Sequence, residues 1–106
     1  MSNFFIILAA GESKRFNSYI PKPYIVYKGK PIIQHSIDKA QKCKKIDKIL
    51  LVINKKHKKF IKTLNIKNLK ILYGGKTRAE SSYKAMQSIK KNKVKNVFIH
   101  DAARPD

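Results

Sequence analysis

Three short segments of this chain hold residue types suited to phosphate chemistry. The first is Leu8-Ala9-Ala10-Gly11-Glu12-Ser13-Lys14-Arg15-Phe16, followed by Pro21-Lys22. Small residues after an apolar run let a backbone approach a ligand closely. Successive backbone N–H groups in such a loop can hold phosphate oxygens. Arg15 and Lys22 add two charges there. The spacing is neither a Walker loop nor a Gly-x-Gly-x-x-Gly dinucleotide motif, and Gly11 alone would be an ordinary turn. The second segment is Gly74-Gly75-Lys76-Thr77-Arg78-Ala79-Glu80-Ser81-Ser82. Paired glycines allow a tight turn, and a helix starting beyond them offers unpaired N–H groups to an acceptor-rich ligand. A capped turn explains Thr77 and Glu80 but not Arg78, whose charge opposes the helix dipole. The third is His100-Asp101-Ala102-Ala103-Arg104-Pro105. An aspartate at the end of an apolar strand can hold a divalent cation, although a turn or cap is its commoner use. His100 falls on the opposite face of a regular strand and is given a packing role.

Charge singles out the same places. The formal net charge is +19, which would ordinarily point to nucleic acid. The lysines, however, are spread from Lys14 to Lys95 without one stripe. Runs such as Lys55-Lys56-His57-Lys58-Lys59 lack interleaved aromatics, so a solvated face, His57 included, is expected. Only three basic residues are arginine: Arg15, Arg78 and Arg104. Each lies in one of the three segments, where a planar fork of donors suits phosphate or carboxylate. The longest apolar stretch, residues 4–10, is too short to span a bilayer. Cys43 is the single cysteine, expected to be a small buried residue in a reducing, cytoplasmic setting.

These segments need a scaffold that brings them together. Residues 3–9, 48–53, 69–73 and 94–100 are apolar runs of strand length. Between them, Pro31 with Ile33, Ile37 and Ala40 predicts a helix over about 31–43. Phe60, Ile61 and Leu64 mark a short helix, and Thr77 with Glu80 forms a capping box for a helix to about residue 91. Ala79, Tyr83, Met86 and Ile89 or Lys90 are the expected apolar side of that last helix. Residues 24–27 form a short extended piece before a turn at Lys28-Gly29-Lys30, and His35 lies off the stripe of its helix. Alternating strands and helices predict an α/β fold with a mostly parallel sheet covered on both faces. Ligands bind such sheets at the carboxyl ends of the strands, where all three segments would converge.

Ala9-Ala10-Gly11 with Arg15 and Pro21-Lys22, Gly74-Gly75 with Arg78 and Ser81, and the run from His100 to Pro105 occur in this order and at similar spacing in a known family. The chain resembles the N-terminal half of the 2-C-methyl-D-erythritol 4-phosphate cytidylyltransferases throughout its length, and Gly29-Lys30-Pro31 and Gln34-His35-Ser36 add to the likeness. The resemblance implies a Rossmann-like nucleotidyltransferase, with residues 1–106 the first part of one incomplete domain that is inactive alone. It implies that Ala9, Ala10, Gly11, Gly75 and Ser81 surround the cytidine of CTP, and that Arg15 and Lys22 stabilise charge on the α-phosphate. Asp101 would help hold Mg²⁺ and Arg104 would lie near a sugar-alcohol phosphate. The implied partners are CTP and that phosphate, with a homodimer for the full-length protein and neither specific nucleic acid nor membrane.

The sequence departs from the family pattern at Ser13, where glycine is common, at Pro23, and at Lys76, a position often acidic. None of these removes a charged catalytic group. Ribitol-5-phosphate cytidylyltransferases share the loops but commonly carry valine where this chain has Ala103, which favours methylerythritol phosphate. A lysine-rich nucleic-acid-binding module is the competing class.

Overall fold

In the computed structural model, which describes residues 2–11, 20–67 and 69–102, the chain alternates strands and helices. β1 (Ser2–Ala9) leads through a 3-10 turn (Lys22–Tyr24) to the short strands β2 (Val26–Tyr27) and β3 (Lys30–Pro31). Then come α1 (Ile32–Lys42), β4 (Lys48–Ile53), a 3-10 segment (Lys55–Thr63), β5 (Leu69–Tyr73), α2 (Arg78–Ile89) and β6 (Val94–Asp101). Four strands form one parallel sheet in the order β5-β4-β1-β6.

Apolar residues in the central strands do not alternate with polar ones because both faces are covered. Successive side chains instead go to opposite cores. Ile7, Ala9, Ile49, Leu51 and Ile53 pack with Ile33, Ile37 and Ala40 of α1. Phe4, Ile6, Leu8, Leu50 and Val52 pack with Ala85 and Ile89 of α2. The expected sheet, with helices on both faces, is the one observed. β4 and β5 match their predicted ranges, α1 is shorter than its own by a residue at each end, and β6 runs one residue further.

Other expectations need correction. The buried side of α2 is Ser81, Ala85 and Ile89, whereas Tyr83 and Met86 are 65% and 43% exposed. Steric room explains this choice. A Cβ added to Gly74 would overlap the Ala10 Cβ and Ser81 Oγ and lie 3.0 Å from Val52 Cγ1. The first turn of α2 therefore sits too close to the sheet for large side chains. The segment around Phe60 is 3-10 rather than α-helical. Ile61 and Leu64 are three apart, a spacing that stacks side chains in a 3-10 helix, and both pack against the α1-side core. Cys43 is exposed beyond the end of α1 rather than buried.

His57 also leaves the solvated face expected for it. Its ring lies edge-on to Tyr24 and Phe60, at 6.2 and 6.3 Å, and Tyr24 stacks on Phe60 at 5.2 Å. This aromatic group anchors the turn bearing Lys22, in which Tyr24 N–H donates to Pro21 O at 2.9 Å. Pro23 occupies the start of that 3-10 turn, where its fixed φ is compatible. The hairpin that follows closes through Lys28 and Gly29, both at positive φ. On α1, buried Gln34 donates to Asn65 O at 3.0 Å and accepts from Asn65 N–H at 2.8 Å. It thereby ties the helix to the loop before β5. His35, off the apolar stripe of α1, donates Nε2–H to Tyr27 O at 2.6 Å and packs its ring edge-on to Tyr27 at 5.9 Å.

Two stability predictions follow from these contacts. Gly74→Ala should destabilise the full-length protein by about 1–3 kcal/mol, the usual range for overpacking, in denaturant unfolding. Burial pushes the Tyr24 hydroxyl up from 10.0 to about 12, and that hydroxyl has no hydrogen-bond partner among the described residues. A raised folded-state value stabilises fully below pH 10 and loses that contribution as pH climbs towards 12. Tyr24→Phe should therefore be neutral or slightly stabilising near pH 7, and should lose less stability than wild type between pH 10 and 12.

Candidate functional site

Parallel pairing puts the carboxyl ends of β1, β4, β5 and β6 on one edge of the sheet. Polar contacts then join the segments that leave that edge. Beyond β1, Ala9 and Ala10 are buried and Gly11 is exposed, with open space where a Cβ would stand. Ala10 O accepts from Asn54 Nδ2 at 3.3 Å, which links β1 to the end of β4. Beyond β5, Gly74 N–H donates to Ile53 O at 2.8 Å and continues the sheet ladder. Gly75 N–H donates to Ser81 Oγ at 3.1 Å, and Ser81 is only 2% exposed. Beyond β6, Ala102 N–H donates to Leu8 O at 2.9 Å.

The start of α2 is capped much as its sequence requires. Glu80 N–H donates to Thr77 Oγ1 at 3.1 Å. The reciprocal contact is shifted by one residue: Glu80 Oε2 accepts from Lys76 N–H at 2.8 Å, not from that of Thr77. Arg78 is also accounted for. Its Nε–H donates to Asp101 Oδ1 at 3.1 Å, so a carboxylate from β6 offsets the cation that the helix dipole opposes. This pair holds the second and third segments together.

A cavity of about 730 Å³ opens at this edge, lined by Ala10, Asn54, Gly74, Gly75 and Glu80 and by Lys55, Lys56, Lys58, Lys76 and Lys84. Its volume is in the range of small-ligand sites. Of the residues expected around a nucleotide, Ala10 and Gly75 line it directly. Ser81 reaches it through Gly75, and Ala9 lies buried beneath. Asp101 stands apart from that lining, paired with Arg78. Lys22 is exposed on its 3-10 turn. Arg15 and Arg104 lie outside the described residues, as do Ser13 and Ala103. His100 faces α1, with Nε2 3.1 Å from Ser36 Oγ and its ring 6.1 Å from Phe5, which bears out its packing role.

Sequence reasoning missed Asn54 as part of this site and gave Glu80, which also lines the cavity, only a capping role. It also assigned Lys55, Lys56 and Lys58 wholly to solvent, whereas all three line the cavity. Asn54 did carry a signal, as a short polar residue between an apolar strand and a new element. Its Oδ1 accepts from Lys56 N–H at 2.9 Å in the manner of a cap. For a cation, Asp101 offers one partly exposed carboxylate, and no cluster of three or more His, Cys, Asp or Glu occurs among the described residues. One carboxylate suits Mg²⁺, which retains water and takes phosphate oxygens.

The model of the family described as 2-C-methyl-D-erythritol 4-phosphate cytidylyltransferase matches residues 4–106. A Bifunctional enzyme IspD/IspF of Pelagibacter ubique is 68% identical over 106 residues, covering 100% of this chain and 29% of the relative. A 2-C-methyl-D-erythritol 4-phosphate cytidylyltransferase of Clostridioides difficile is 41% identical, covering 94% of this chain and 44% of the relative. The crystal structure of the Francisella tularensis enzyme of that name superposes with a TM-score of 0.72 at 32% identity, over 98% of this chain and 46% of that one. This chain thus spans less than half the length of each.

Two substitutions test the site's construction. Ser81→Ala, which leaves the Gly75 N–H unpaired, should cost about 1–3 kcal/mol in an unfolding titration. Arg78→Ala should change stability by less than about 1 kcal/mol because its ion pair is solvent-exposed.

Proposed function

The chain belongs to the 2-C-methyl-D-erythritol 4-phosphate cytidylyltransferase family, and from that premise we propose that the full-length protein transfers a cytidylyl group from CTP to 2-C-methyl-D-erythritol 4-phosphate. The family match over residues 4–106 carries the reading. The gathering of Ala10, Gly75, Ser81 and Asp101 at one sheet edge supports it. A phosphate oxygen of the acceptor attacks the α-phosphorus of CTP in line, and pyrophosphate leaves. Such a reaction asks a protein for positioning and charge stabilisation rather than covalent participation.

The likeness to that family assigns a role to each group. Ala9, Ala10, Gly11, Gly75 and Ser81 hold the cytidine, mainly through backbone. Lys22 and Arg15 stabilise charge that builds on the α-phosphate, and Arg104 serves the sugar-alcohol phosphate. Asp101 would hold Mg²⁺, which when bound would supply positive charge to neutralise phosphate. Residues 1–106 are then the N-terminal part of one domain, and the full-length protein acts as a cytoplasmic homodimer. No helix among the described residues is long and apolar enough to cross a membrane.

The test is pyrophosphate release by the full-length protein with a panel of nucleoside triphosphates, with and without methylerythritol phosphate or ribitol phosphate. Turnover confined to CTP and methylerythritol phosphate is expected. Preference for ribitol phosphate would replace the acceptor, and salt-sensitive nucleic-acid binding without turnover would replace the class. Lys22→Ala should lower kcat by about 10²-fold or more, the scale of one lost transition-state contact. Asp101→Asn should depress activity and raise the Mg²⁺ requirement with the fold intact. Normal activity of that variant at limiting Mg²⁺ would leave Asp101 as a partner of Arg78 alone.

A further inference from the structure

Lys22 is exposed, so burial of its own does not fix where its ammonium group stands. The turn that carries it is closed locally: Tyr24 N–H donates to Pro21 O at 2.9 Å and Ile25 N–H to Lys22 O at 3.2 Å. Those bonds set the shape of the turn but not its place on the sheet. Place comes from Tyr24, 4% exposed and set in the α1-side core with Ile33 and Ile37. The Tyr24 hydroxyl has no hydrogen-bond partner among the described residues, so packing orients the ring. Its aromatic neighbours both come from the 3-10 segment after β4. Phe60 stacks on it with centroids 5.2 Å and planes 23° apart, and His57 meets it edge-on at 6.2 Å.

That segment has a second attachment. It opens at Asn54, whose Nδ2 donates to Ala10 O and whose Oδ1 accepts from Lys56 N–H. Lys55, Lys56 and Lys58 of the same segment line the cavity. His57 and Phe60 are three apart, as are Lys55 and Lys58, so a 3-10 helix sets the two pairs in separate rows. One short piece of backbone thus carries part of the cavity wall and also the contact that places Lys22.

We propose that Phe60 is a positioning residue for cytidylyl transfer: stacked on Tyr24, it fixes the turn from which Lys22 reaches the α-phosphate and ties that turn to the wall of the cavity. The proposal rests on the role given to Lys22 above. Charge stabilisation in a transition state requires the donor to stand where charge develops. A displacement of about 1 Å, caused far from the chemistry, can cost up to about 10²-fold in rate. The flat face of Phe60 holds the Tyr24 ring at one tilt, whereas a leucine would fill much of the space without a face to stack on.

The test is steady-state kinetics of the full-length protein with CTP and methylerythritol phosphate, alongside unfolding titrations. Phe60→Leu should lower kcat by about tenfold while KM for CTP stays within about twofold, because the turn shifts and the cavity wall remains. His57→Ala, which removes the edge contact, should show a smaller fall of the same kind. Phe60→Tyr keeps the ring and should hold kcat within about twofold of wild type. Leu69→Ala, against the same core at the end of β5 remote from the site, should lower stability yet hold kcat within about twofold, which separates positioning from loss of fold. In a Lys22→Ala background Phe60→Leu should lower kcat no further, because residues that act through one group are not additive. An equal fall in both backgrounds, a fall shared by Leu69→Ala, or unaltered kcat in Phe60→Leu and His57→Ala would reduce Phe60 to a core residue while the role of Lys22 stands. Full turnover in Lys22→Ala would remove Lys22 from the mechanism and this proposal with it. A wild-type protein that does not turn over CTP would overturn the CTP reading itself.

Discussion

Four strands running in one direction leave four carboxyl ends on one edge of the sheet, and every described residue that lines the cavity hangs from that edge or from the segment just beyond it. The direction is enforced by burial. β1 and β4 are apolar on both faces, so each must lie between covering layers. Helical crossovers supply those layers and return the chain in parallel. The central position of β1, between β4 and β6, brings the Ala9-Ala10-Gly11 turn beside both the Asn54 end and the Asp101 end.

Close approach is the second constraint. At Gly74 the end of β5, the first turn of α2 and Ala10 meet with no room for a side chain. That closeness selects Ser81 and Ala85 as the buried face of α2 and turns Tyr83 and Met86 outward. It also brings Ser81 Oγ to the Gly75 N–H. Helix packing and the wall of the cavity are here built by the same contact.

Electrostatics complete the arrangement. Arg78 and Asp101 pair across two segments that sequence alone treats separately. Several lysines of a strongly cationic chain converge on the cavity, where Glu80 provides the opposing charge. Tyr24, packed on Phe60 and His57, roots the turn that presents Lys22.

The amino-acid sequence by itself determined the class of fold, because long apolar runs alternating with helical periodicity admit few other architectures. It also marked the segments that meet at one edge of the sheet, because Gly11, Gly75 and Asp101 sit where strands end, a property local to the chain. The tertiary structure decided what depends on distance between remote residues. Gly74, more than Gly75, is the steric hinge of the site, since its neighbours Ala10 and Val52 are far away in sequence. Arg78 meets Asp101 across 23 positions. His57 is drawn from a lysine run into an aromatic group because Tyr24 and Phe60 fold onto it. Periodicity misassigned the face of α2 for the same reason: it records how apolar a side chain is, while the gap between helix and sheet sets how large it can be.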